Sequence, residues 1–417
     1  MRNAPDLSFP RADLSRIPYG VYHDQETYER EQELIFRGPT WSYLGHEAEL
    51  PNPGDFLTTY VGETPVILNR AQDGALHAFV NRCAHRGSVV RREVRGNART
   101  HTCIYHQWSY NQAGDLTGIP FRNGVKGKGG LATDFDTACH GLRKLKVQSL
   151  KGVVFGSFAE TPEPLLDYLD APVVAHLERL MHSPIRVLGY QRQFIRGNWK
   201  LYTDNLRDPY HGGLLHMFQI AFGIARLSNR GGAMMDRRHR HNISYTAEGT
   251  DSPDGAKAYE QTARGQAKHQ LADHSLLDMR HEWKDGLTLT IMSIFPNVVF
   301  QQIRNSLAIR QIRPKGLDAF ELHWTYYGYQ NDDDEMTKLR LRQANFAGPA
   351  GLISMEDGEA IELVHRATAR DREAHSIVEM GGRGPIHDQD HLVTDVPMRG
   401  FWTYYCELMG FTPGSNM

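Results

Sequence analysis

The chain has 417 residues, 40% of them hydrophobic, and its 47 Lys and Arg nearly balance 49 Asp and Glu, giving a formal net charge of −2. This composition is typical of a globular protein with two domains, and it excludes the basic footprint of a nucleic-acid-binding protein. No apolar run reaches the roughly 18 residues of a membrane span, and the N-terminus lacks the apolar core of a signal peptide, so we expect a cytoplasmic protein.

The first part of the chain changes from a helical to a strand-rich pattern. A polar helix is predicted at residues 25–37, where Gly38 and Pro39 would end it. Short apolar or alternating runs with turn signals between them then predict a small β-rich domain at residues 41–160. We expect the preceding segment, residues 1–40, to pack with the third part of the chain, residues 161–417.

Two cysteine and histidine pairs stand in the β-rich domain, Cys83 with His85 and Cys103 with His106. Thiolate and imidazole from two loops can complete four-coordinate metal sites. Each pair contains one Cys and one His, whereas common zinc fingers pair Cys with Cys and His with His. This order favours a two-iron, two-sulfide Rieske cluster, in which the cysteines hold one iron and the histidines the other. A structural zinc, or buried cysteines with surface histidines, remain the alternatives.

The other two cysteines, Cys139 and Cys406, have no such partners, and we expect both to be small buried hydrophobic residues.

The third part of the chain mixes helical and strand patterns. Strands followed by helices, without regular alternation, predict an α+β domain with an antiparallel sheet. The polar stretch 247–264 fits either a mobile loop over a site or a solvated surface insertion. Helices are predicted at residues 165–182, 198–218, 333–346, 356–370 and 400–409, and strands at residues 287–295, 298–303, 306–313 and 320–329.

A second group of metal-binding residue types follows at His211 and His216. A five-residue spacing does not put two side chains on one face of a regular helix. Pro209 and the glycines at 212 and 213 indicate an interrupted helix, and a distorted turn of the π type would bring the two imidazoles together. We therefore predict a metal site at this interruption, with two polar residues at a helix end as the alternative.

Two histidines leave a divalent iron short of the set of two His and one carboxylate that non-haem oxygenases use. The carboxylate is predicted to be Asp357, at the start of a predicted helix, with the adjacent Glu356 as the substitute. Asp208 lies three residues before His211, and we expect it to accept a hydrogen bond from an imidazole N–H.

These motifs together resemble the α, or large, subunit of Rieske non-haem iron aromatic ring-hydroxylating oxygenases. The resemblance runs from about residue 16 to residue 410 and is carried by NRCAHRG, YHQWSY, DNLRDPYHGGLLH and SMEDGE. Stretches such as LPNPGDF, GPAGLISMEDGE and MRGFW are most similar to the branch that acts on aromatic acids, with terephthalate dioxygenase, salicylate 5-hydroxylase and anthranilate dioxygenase.

The resemblance implies a Rieske domain inserted into a catalytic domain of the helix-grip type. It implies that the cluster ligands are Cys83, His85, Cys103 and His106. It also implies that the mononuclear iron ligands are His211, His216 and Asp357.

The resemblance further implies a trimer of α subunits in a head-to-tail ring, often with a separate small β subunit. In this arrangement Asp208 links an iron ligand to His106 of the neighbouring subunit, and Asn205 is a further candidate catalytic residue. Asp204 stands where the family more commonly has Glu. The resemblance therefore does not assign Asp204 a role around the iron site, but it still implies the same iron ligands.

The expected reaction is ring hydroxylation of an aromatic carboxylate with O2, most simply to a cis-dihydrodiol, with a terephthalate-like acid as the best guess. Electrons would come from NADH through a separate reductase, with or without a ferredoxin, because the chain has no glycine fingerprint for NAD. The guanidinium groups of Arg310 and Arg399 are the candidates for binding the carboxylate. Alternatives are a Rieske monooxygenase, such as a salicylate-type hydroxylase or an O-demethylase, and a zinc-stabilised binding protein.

Overall fold

The structure is a computed structural model that describes residues 7–249, 257–259 and 271–414. The chain forms two compact units: Phe36–Leu165, and the described residues before and after that range. The first unit is therefore inserted into the sequence of the second. Most of the polar stretch 247–264 lies outside the described residues. None of the helices in the described ranges combines the length and apolar composition that crossing a bilayer requires.

The strands, numbered along the chain, are β1 Arg16–Pro18, β2 Ser42–His46, β3 Asp55–Val61, β4 Thr64–Arg70, β5 Leu76–Val80, β6 Arg95–Asn97, β7 His101–Thr102, β8 Ser109–Tyr110, β9 Leu116–Gly118, β10 Lys144–Leu150, β11 Val153–Ser157, β12 Ile185–Arg196, β13 Gly231–Met235, β14 Asn242–Ala247, β15 Leu287–Ile294, β16 Val298–Ile303, β17 Ser306–Pro314, β18 Ala319–Tyr329 and β19 His375–Ile377.

The α-helices are α1 Gln25–Glu31, α2 Leu165–Leu169, α3 Ala171–Leu180, α4 Trp199–Leu206, α5 Pro209–Leu215, α6 Met217–Ala221, α7 Asp334–Ala347, α8 Leu352–Thr368 and α9 Val396–Met409. A π-helical turn, Gln32–Phe36, extends α1, and short 3-10 turns lie at Tyr19–Tyr22, Glu47–Glu49, Thr137–His140 and His274–Leu277.

The inserted unit is built from two antiparallel sheets. A seven-stranded sheet has the order β2-β11-β10-β5-β4-β3-β6, and a three-stranded sheet has the order β7-β8-β9. A buried core that includes Ile67, Phe79 and Trp108 also contains the sulfur atoms of Cys83 and Cys103. The loops that carry the two cysteines follow β5 and connect β7 with β8, so both leave the same core.

The second unit has a seven-stranded antiparallel sheet with the order β12-β18-β17-β16-β15-β14-β13. Directly paired residues of antiparallel strands share one face of a sheet. Ser244 of β14 pairs with Ile291 of β15, and Ile291 pairs with Gln301 of β16. On the neighbouring strands, Arg310 of β17 pairs with Trp324 of β18. The helices α4 to α8 pack along this sheet and supply the metal-binding side chains.

The predicted α+β class with antiparallel sheets is confirmed, but several predicted helices are broken. Asp170, at φ 64°, separates α2 from α3 where one helix was expected. The predicted helix at residues 198–218 is three short helices, α4, α5 and α6. A residue with positive φ cannot continue a right-handed helix, and Pro209 lacks the N–H that an uninterrupted helix would need.

Three strands of the large sheet, β12, β13 and β14, were not predicted. In β12 only Ile185 and Ile195 are buried and many of the other side chains are polar, so its apolar alternation is weak. The expectation for Cys139 is also wrong: its side chain is exposed and its thiol donates to Asp136, whereas Cys406 is buried as expected.

Candidate active site and cluster-binding loops

Two loops of the same construction carry the predicted cluster residues. The carbonyl of Cys83 accepts from the N–H of Gly87 (3.0 Å), and the carbonyl of Cys103 accepts from the N–H of Gln107 (2.9 Å). Gly87 and Gln107 both have positive φ, 74° and 58°. This conformation turns the chain back within five residues and suits Gly, which has no Cβ to strain. Each loop therefore points its Cys and its His towards the same end of the unit.

The sulfur atoms and the imidazoles differ in exposure. Cys83 and Cys103 are 4% and 1% exposed, whereas His85 and His106 are exposed. The centroids of the two imidazole rings lie 4.5 Å apart, and His85 stacks on Trp108 at 4.7 Å. A binuclear cluster with thiolates on its inner iron and imidazoles on its outer iron fits this arrangement of buried sulfur and exposed nitrogen.

Tyr110 is a residue of this region that the sequence reasoning missed. Its hydroxyl oxygen accepts from the N–H of Ala84 (3.0 Å) and lies 3.2 Å from the Cys83 sulfur. Because that oxygen already accepts one hydrogen bond, its own proton can be donated to the sulfur. Burial and the contact with Cys83 raise the pKa of Tyr110, so the hydroxyl keeps that proton. Hydrogen bonds to cluster sulfurs tune the reduction potential.

The two predicted iron-binding histidines are joined by a helix end. The Asp208 carboxylate accepts from the backbone N–H of His211 (3.0 Å) and caps α5, whose first residue is Pro209. His216 follows α5 with an extended backbone (φ −79°, ψ 94°), and Met217 begins α6. The helix is therefore interrupted as predicted, but by an extended residue between two helices and not by a π-type widening.

Three metal-binding side chains meet at this interruption. Nε2 of His211 and Nε2 of His216 each lie 3.4 Å from Oδ1 of Asp357, which α8 supplies from its first two turns. One ligand atom of each residue lies within 4.8 Å of the other two. Asp357 and His216 are buried, and His211 keeps 22% of its side-chain surface. Two imidazoles and one carboxylate that converge in this way suit a non-haem Fe(II) site.

The remaining imidazole nitrogens are held by neighbours that fix the rings. Nδ1 of His211 lies within hydrogen-bond distance of the backbone carbonyl of Asp208, while the Asp208 carboxylate is 3.6 Å away. The expected bond from the imidazole to Asp208 therefore uses its carbonyl, because its carboxylate caps the helix. Nδ1 of His216 lies 3.2 Å from Glu356, which also accepts from the N–H of Met217. Glu356 thus orients His216, and Asp357 is the converging carboxylate.

The protonation of this group also fits a cation site. Burial opposes the charged form of His211, but the nearby carboxylates of Asp208 and Asp357 raise its pKa to about 10. Burial likewise opposes ionisation of Asp357, yet His216 and His211 lower its pKa to about 2. A carboxylate held ionised beside an imidazole that retains a proton is a place where positive charge is stabilised, and a metal ion can replace that proton.

Asn205, predicted as a further site residue, does reach this group. Its amide nitrogen donates to Oδ1 of Asp357 (3.1 Å) and lies 3.2 Å from Nε2 of His211. Asn205 occupies the last turn of α4, three residues before the Asp208 cap. It therefore positions the Asp357 oxygen that both histidines face.

A cavity opens beside the three converging residues, between the helices and the sheet. Its apolar wall comes from both layers, and a few polar side chains interrupt it. The apolar lining includes Leu206, Pro209, Leu289, Ile291, Ile303 and Ile353, and the polar lining includes Gln219, Arg226, Ser244, Thr246 and Arg310. A mostly apolar cavity with few polar groups is typical of a site for a small organic molecule.

Arg310 lines this cavity, as one of the two predicted arginines. Its Nη1 donates to the hydroxyl of Tyr202 (2.6 Å), and its Nη2 donates to the amide oxygen of Gln301. Its guanidinium lies over the Trp324 ring, 4.8 Å from the centroid. Arg310 is only 5% exposed, so the cavity contains a buried cation whose orientation three neighbours fix.

Arg399, the other predicted arginine, is not part of this cavity. It lies in the first turn of α9 and is 2% exposed. Its Nη1 donates to the carbonyl of Asp13 (3.2 Å) and its Nη2 to the carbonyl of Gly384 (2.8 Å). Arg399 therefore ties α9 to two other segments of the chain, because backbone carbonyls already use both arms of its guanidinium.

Several cavity residues were missed by the sequence reasoning. Ser244 and Thr246 stand two residues apart on β14, so they share one face of a strand that was not predicted. The alternation from Asn242 to Thr246 was the signal that could have identified them. Gln219 had no signal, because a buried polar residue of a helix looks like a surface residue in a sequence.

Comparison with known proteins agrees with both parts of the site. A family model of the Rieske 2Fe-2S domain matches residues 40–129, and a model of the ring-hydroxylating alpha subunit catalytic domain matches residues 172–408. The first range contains both cysteine and histidine loops. The second contains the two histidines, Asp357 and the cavity.

Two relatives match the chain over nearly all of its length. It is 48% identical over 410 residues to the large subunit of anthranilate 1,2-dioxygenase from Burkholderia cepacia, which covers 98% of this chain and 97% of the relative. It is 43% identical over 399 residues to an alpha subunit of the terephthalate 1,2-dioxygenase oxygenase component from Comamonas sp, with 96% of each chain covered.

The fold matches a solved structure. Naphthalene 1,2-dioxygenase with indole in its active site superposes with a TM-score of 0.78 over 97% of this chain and 94% of that chain, at 20% sequence identity. This likeness establishes the arrangement of sheets and helices within the fold.

Proposed function

The chain belongs to the family of Rieske ring-hydroxylating oxygenase alpha subunits, and we propose that it uses O2 to hydroxylate the ring of an aromatic carboxylate. The family makes it an oxidoreductase with an iron–sulfur cluster and a non-haem iron, so the zinc-stabilised binding protein has no support. The observation that carries the substrate class is the buried Arg310 in an otherwise largely apolar cavity beside the metal-binding residues.

The residues that would hold the two cofactors are those that converge in each unit. Neutral imidazole and thiolate are the forms that bind metal, and burial followed by the charge of His106 lowers the pKa of His85. When bound, the cluster supplies electrons singly and the mononuclear iron activates O2. The cluster would be held by Cys83, His85, Cys103 and His106, and the mononuclear iron by His211, His216 and Asp357.

Arg310 would bind the substrate carboxylate. A buried guanidinium pairs with a carboxylate through charge-assisted hydrogen bonds that can be bidentate. Tyr202 and Gln301 already fix its plane, so little side-chain entropy is lost on binding. Ser244, whose hydroxyl accepts from Asn242 (3.0 Å) and lines the same cavity, has its own proton available for a second hydrogen bond to the acid.

The apolar wall would hold the ring and keep water away from it. Leu289 and Ile303 pair across β15 and β16, and Ile353 approaches from α8. These branched aliphatic side chains favour an apolar ring over a charged or strongly hydrated group. With its carboxylate on Arg310, the ring would be directed towards the residues that hold the iron.

Among aromatic acids we place a single-carboxylate acid of the anthranilate kind ahead of the terephthalate-like acid expected from the sequence. Arg399, the other candidate for binding a carboxylate, does not line the cavity, so Arg310 is left to bind one carboxylate there. Arg226 does line it, but its Nε donates to the carbonyl of Ile220 and its guanidinium lies over the Tyr259 ring. The 48% identity with an anthranilate 1,2-dioxygenase large subunit points the same way.

The product would be a cis-dihydroxylated ring, as in a dioxygenase. The alternative is a monooxygenase, which would add one hydroxyl to the ring. The resemblance to salicylate 5-hydroxylase is the reason to keep this alternative. The metal-binding residues are the same in both, so product analysis separates them.

The active assembly would be a head-to-tail trimer of this chain. His85 and His106 are exposed and are surrounded by apolar side chains, among them Tyr105 at 56% and Phe121 at 75% exposure. A second copy that covers this surface would bring His106 to Asp208, whose side chain keeps 23% of its surface. A small β subunit would join the same ring.

Electrons would come from NADH through a separate reductase, with or without a ferredoxin. An oxygen electrode with purified chain, reductase and NADH tests the proposal by comparing anthranilate, salicylate, benzoate and terephthalate. We expect substrate-dependent O2 uptake with one or more of these acids and a hydroxylated product. Uptake only with uncharged rings such as toluene, or none with any acid, would contradict the carboxylate assignment.

A further inference from the structure

A second group of metal-binding side chains lies apart from the cavity, where the N-terminal segment meets α8. His23, Asp318 and His365 each offer one ligand atom, and the three atoms lie within 4.8 Å of one another. His23 follows the 3-10 turn Tyr19–Tyr22, Asp318 precedes β18, and His365 stands in the last turns of α8. These segments are far apart in the sequence, so the fold brings the three side chains together.

The contacts within this group are close. Nε2 of His365 lies 3.1 Å from Oδ1 of Asp318. The rings of His23 and His365 are in contact, with centroids 4.4 Å apart and a tilt of 33° between their planes. His23 is 5% exposed and the His365 side chain 12%, whereas the Asp318 side chain is 75% exposed. The group is therefore a buried imidazole pair with a carboxylate at its open side.

The hydrogen bonds identify which nitrogens carry protons. The Thr368 hydroxyl donates to the carbonyl of Val364 (2.9 Å), so its oxygen accepts from Nε2 of His23 (2.8 Å). Nε2 of His365 faces a carboxylate and donates to it. An ion shared by His365 and Asp318 would take the place of this proton, because Nε2 and Oδ1 face each other at 3.1 Å.

Burial, then the charges of His365 and Arg372, lower the pKa of His23 to about 4. The ring is therefore neutral near pH 7, which is the form that binds a metal ion.

The charges around the group decide which kind of cation fits. The cleft is also lined by Arg196, Arg366, Arg370, Arg372 and Glu362, and Arg196 pairs with Glu362 at 3.6 Å. This positive surrounding disfavours Mg²⁺ and Ca²⁺, which are held mainly by several oxygen ligands with negative charge. A borderline transition ion gains coordinate bonds to imidazole nitrogen and needs fewer carboxylates.

We propose that His23, Asp318 and His365 form a second binding site, for a divalent transition ion such as Zn²⁺, that is separate from the oxygenase centre. Three protein ligands would leave one position to water at the exposed side of Asp318. The ion would fasten the C-terminal half of α8 to the N-terminal segment. The same helix carries Asp357, so the site would hold in place the element that supplies the third iron ligand.

Equilibrium dialysis of the full chain, with its iron centres filled, against Zn²⁺ tests this site. Zinc and iron are counted on the same sample by mass spectrometry. We expect about one zinc per chain without loss of iron, since three ligands and a water complete one tetrahedral ion. Asp318→Asn should weaken zinc binding at least tenfold, and its exposed side chain makes a folding defect improbable as the cause.

A second variant and a control complete the experiment. His365→Gln keeps an amide that can donate to Asp318, yet it should also lose zinc. His391→Gln removes an exposed histidine elsewhere in the chain and should bind zinc as the wild type does. The proposal is overturned if no zinc binds, if zinc enters only as iron leaves, or if Asp318→Asn and His365→Gln bind it unchanged. Zinc binding is measured without any oxygenation. A failure of the zinc-site proposal can therefore be distinguished from a failure of the proposed function.

Discussion

Arg310 is oriented before any substrate arrives. Two hydrogen bonds and an aromatic ring fix its guanidinium, and the cavity leaves it only 5% exposed. Burying a cation costs desolvation free energy unless an anion pairs with it. Arg310 therefore favours a substrate that carries an acid group. The identity of the substrate class thus depends on one side chain more than on the shape of the cavity.

Replacing Arg310 by Gln should raise the KM for the aromatic acid about 10- to 100-fold, because a charge-assisted hydrogen bond contributes about 1.5 to 3 kcal/mol. Steady-state O2 uptake at several acid concentrations measures it. Arg313→Gln, on the same strand but bonded to Gln311 and outside the cavity, is the control and should keep its KM. An unchanged KM in Arg310→Gln would exclude the carboxylate role.

Replacing His211 by Ala should remove the mononuclear iron while the Rieske colour stays, since the cluster residues belong to the other unit. Cys103→Ser is the reciprocal variant and should lose the colour. Metal analysis with a visible spectrum measures both. Full oxygenation by His211→Ala would show that the iron is held elsewhere.

The sequence singles out residues whose chemistry is rare. Cys83, His85, His211 and His216 stand in short motifs, and few other roles require them at those spacings. The cavity wall could not be predicted in this way. A residue such as Ile291 alternates in its strand in the same manner whether it faces a cavity or a closed core.

At the scale of elements, the break between α5 and α6 sets the geometry of the site. Asp208 is the N-cap of α5 and His216 is its C-cap. His211 lies in the first turn, so the two imidazoles are at opposite ends of one short helix. The sequence indicated an interruption through Pro209, but not its form, because an extended residue and a widened turn have the same sequence signals. Glu356 could be assigned only from its contacts with His216 and Met217.

The helix α4 contains a carboxyl group that links stability to pH. Asp204 is 6% exposed and accepts from the hydroxyl of Tyr22 (2.6 Å). Burial raises its pKa to about 7, although Tyr22 and Arg207 act in the opposite direction. The folded pKa lies above the unfolded value, so the folded chain holds this proton more tightly, and the resulting stability is lost as the pH rises from about 4 through 7.

Replacing Asp204 by Asn should remove this dependence and keep the acceptor for Tyr22. The melting temperature of the variant relative to wild type should therefore increase between pH 5 and pH 8. Differential scanning calorimetry at three pH values in that range measures the difference. A difference that stays constant across the range would show that Asp204 is ionised in the folded chain throughout.

At the scale of the whole molecule, one chain contains two metal-binding units that differ in architecture. The inserted unit, Phe36–Leu165, exposes its histidines, and the other unit buries His216 and Asp357. A change of texture in the sequence predicts a separate domain at residues 41–160, whereas the exposure of His85 and His106 could be known only from the fold. These exposed imidazoles are the reason to expect that a second copy completes the electron path.

Replacing Asp208 by Asn tests that path. Asn is also a good N-cap, so α5 and both metals should remain. Turnover should fall severely, because the proposed ring would place this carboxylate between the two centres of neighbouring subunits and the variant loses its charge. Rapid mixing of the reduced variant with O2 and substrate measures cluster oxidation. Wild-type rates with full metal content would contradict the bridge, and a monomer by light scattering would contradict the ring.

The most direct measurement is a low-temperature electron paramagnetic resonance spectrum of anaerobically purified chain before and after dithionite, with iron and acid-labile sulfide counted on the same sample. A reducible Rieske signal with about three irons and two sulfides per chain is the predicted result, two irons in the cluster and one mononuclear. A chain that contains zinc and no sulfide, after loss of cluster during purification has been excluded, would contradict the assignment of both centres.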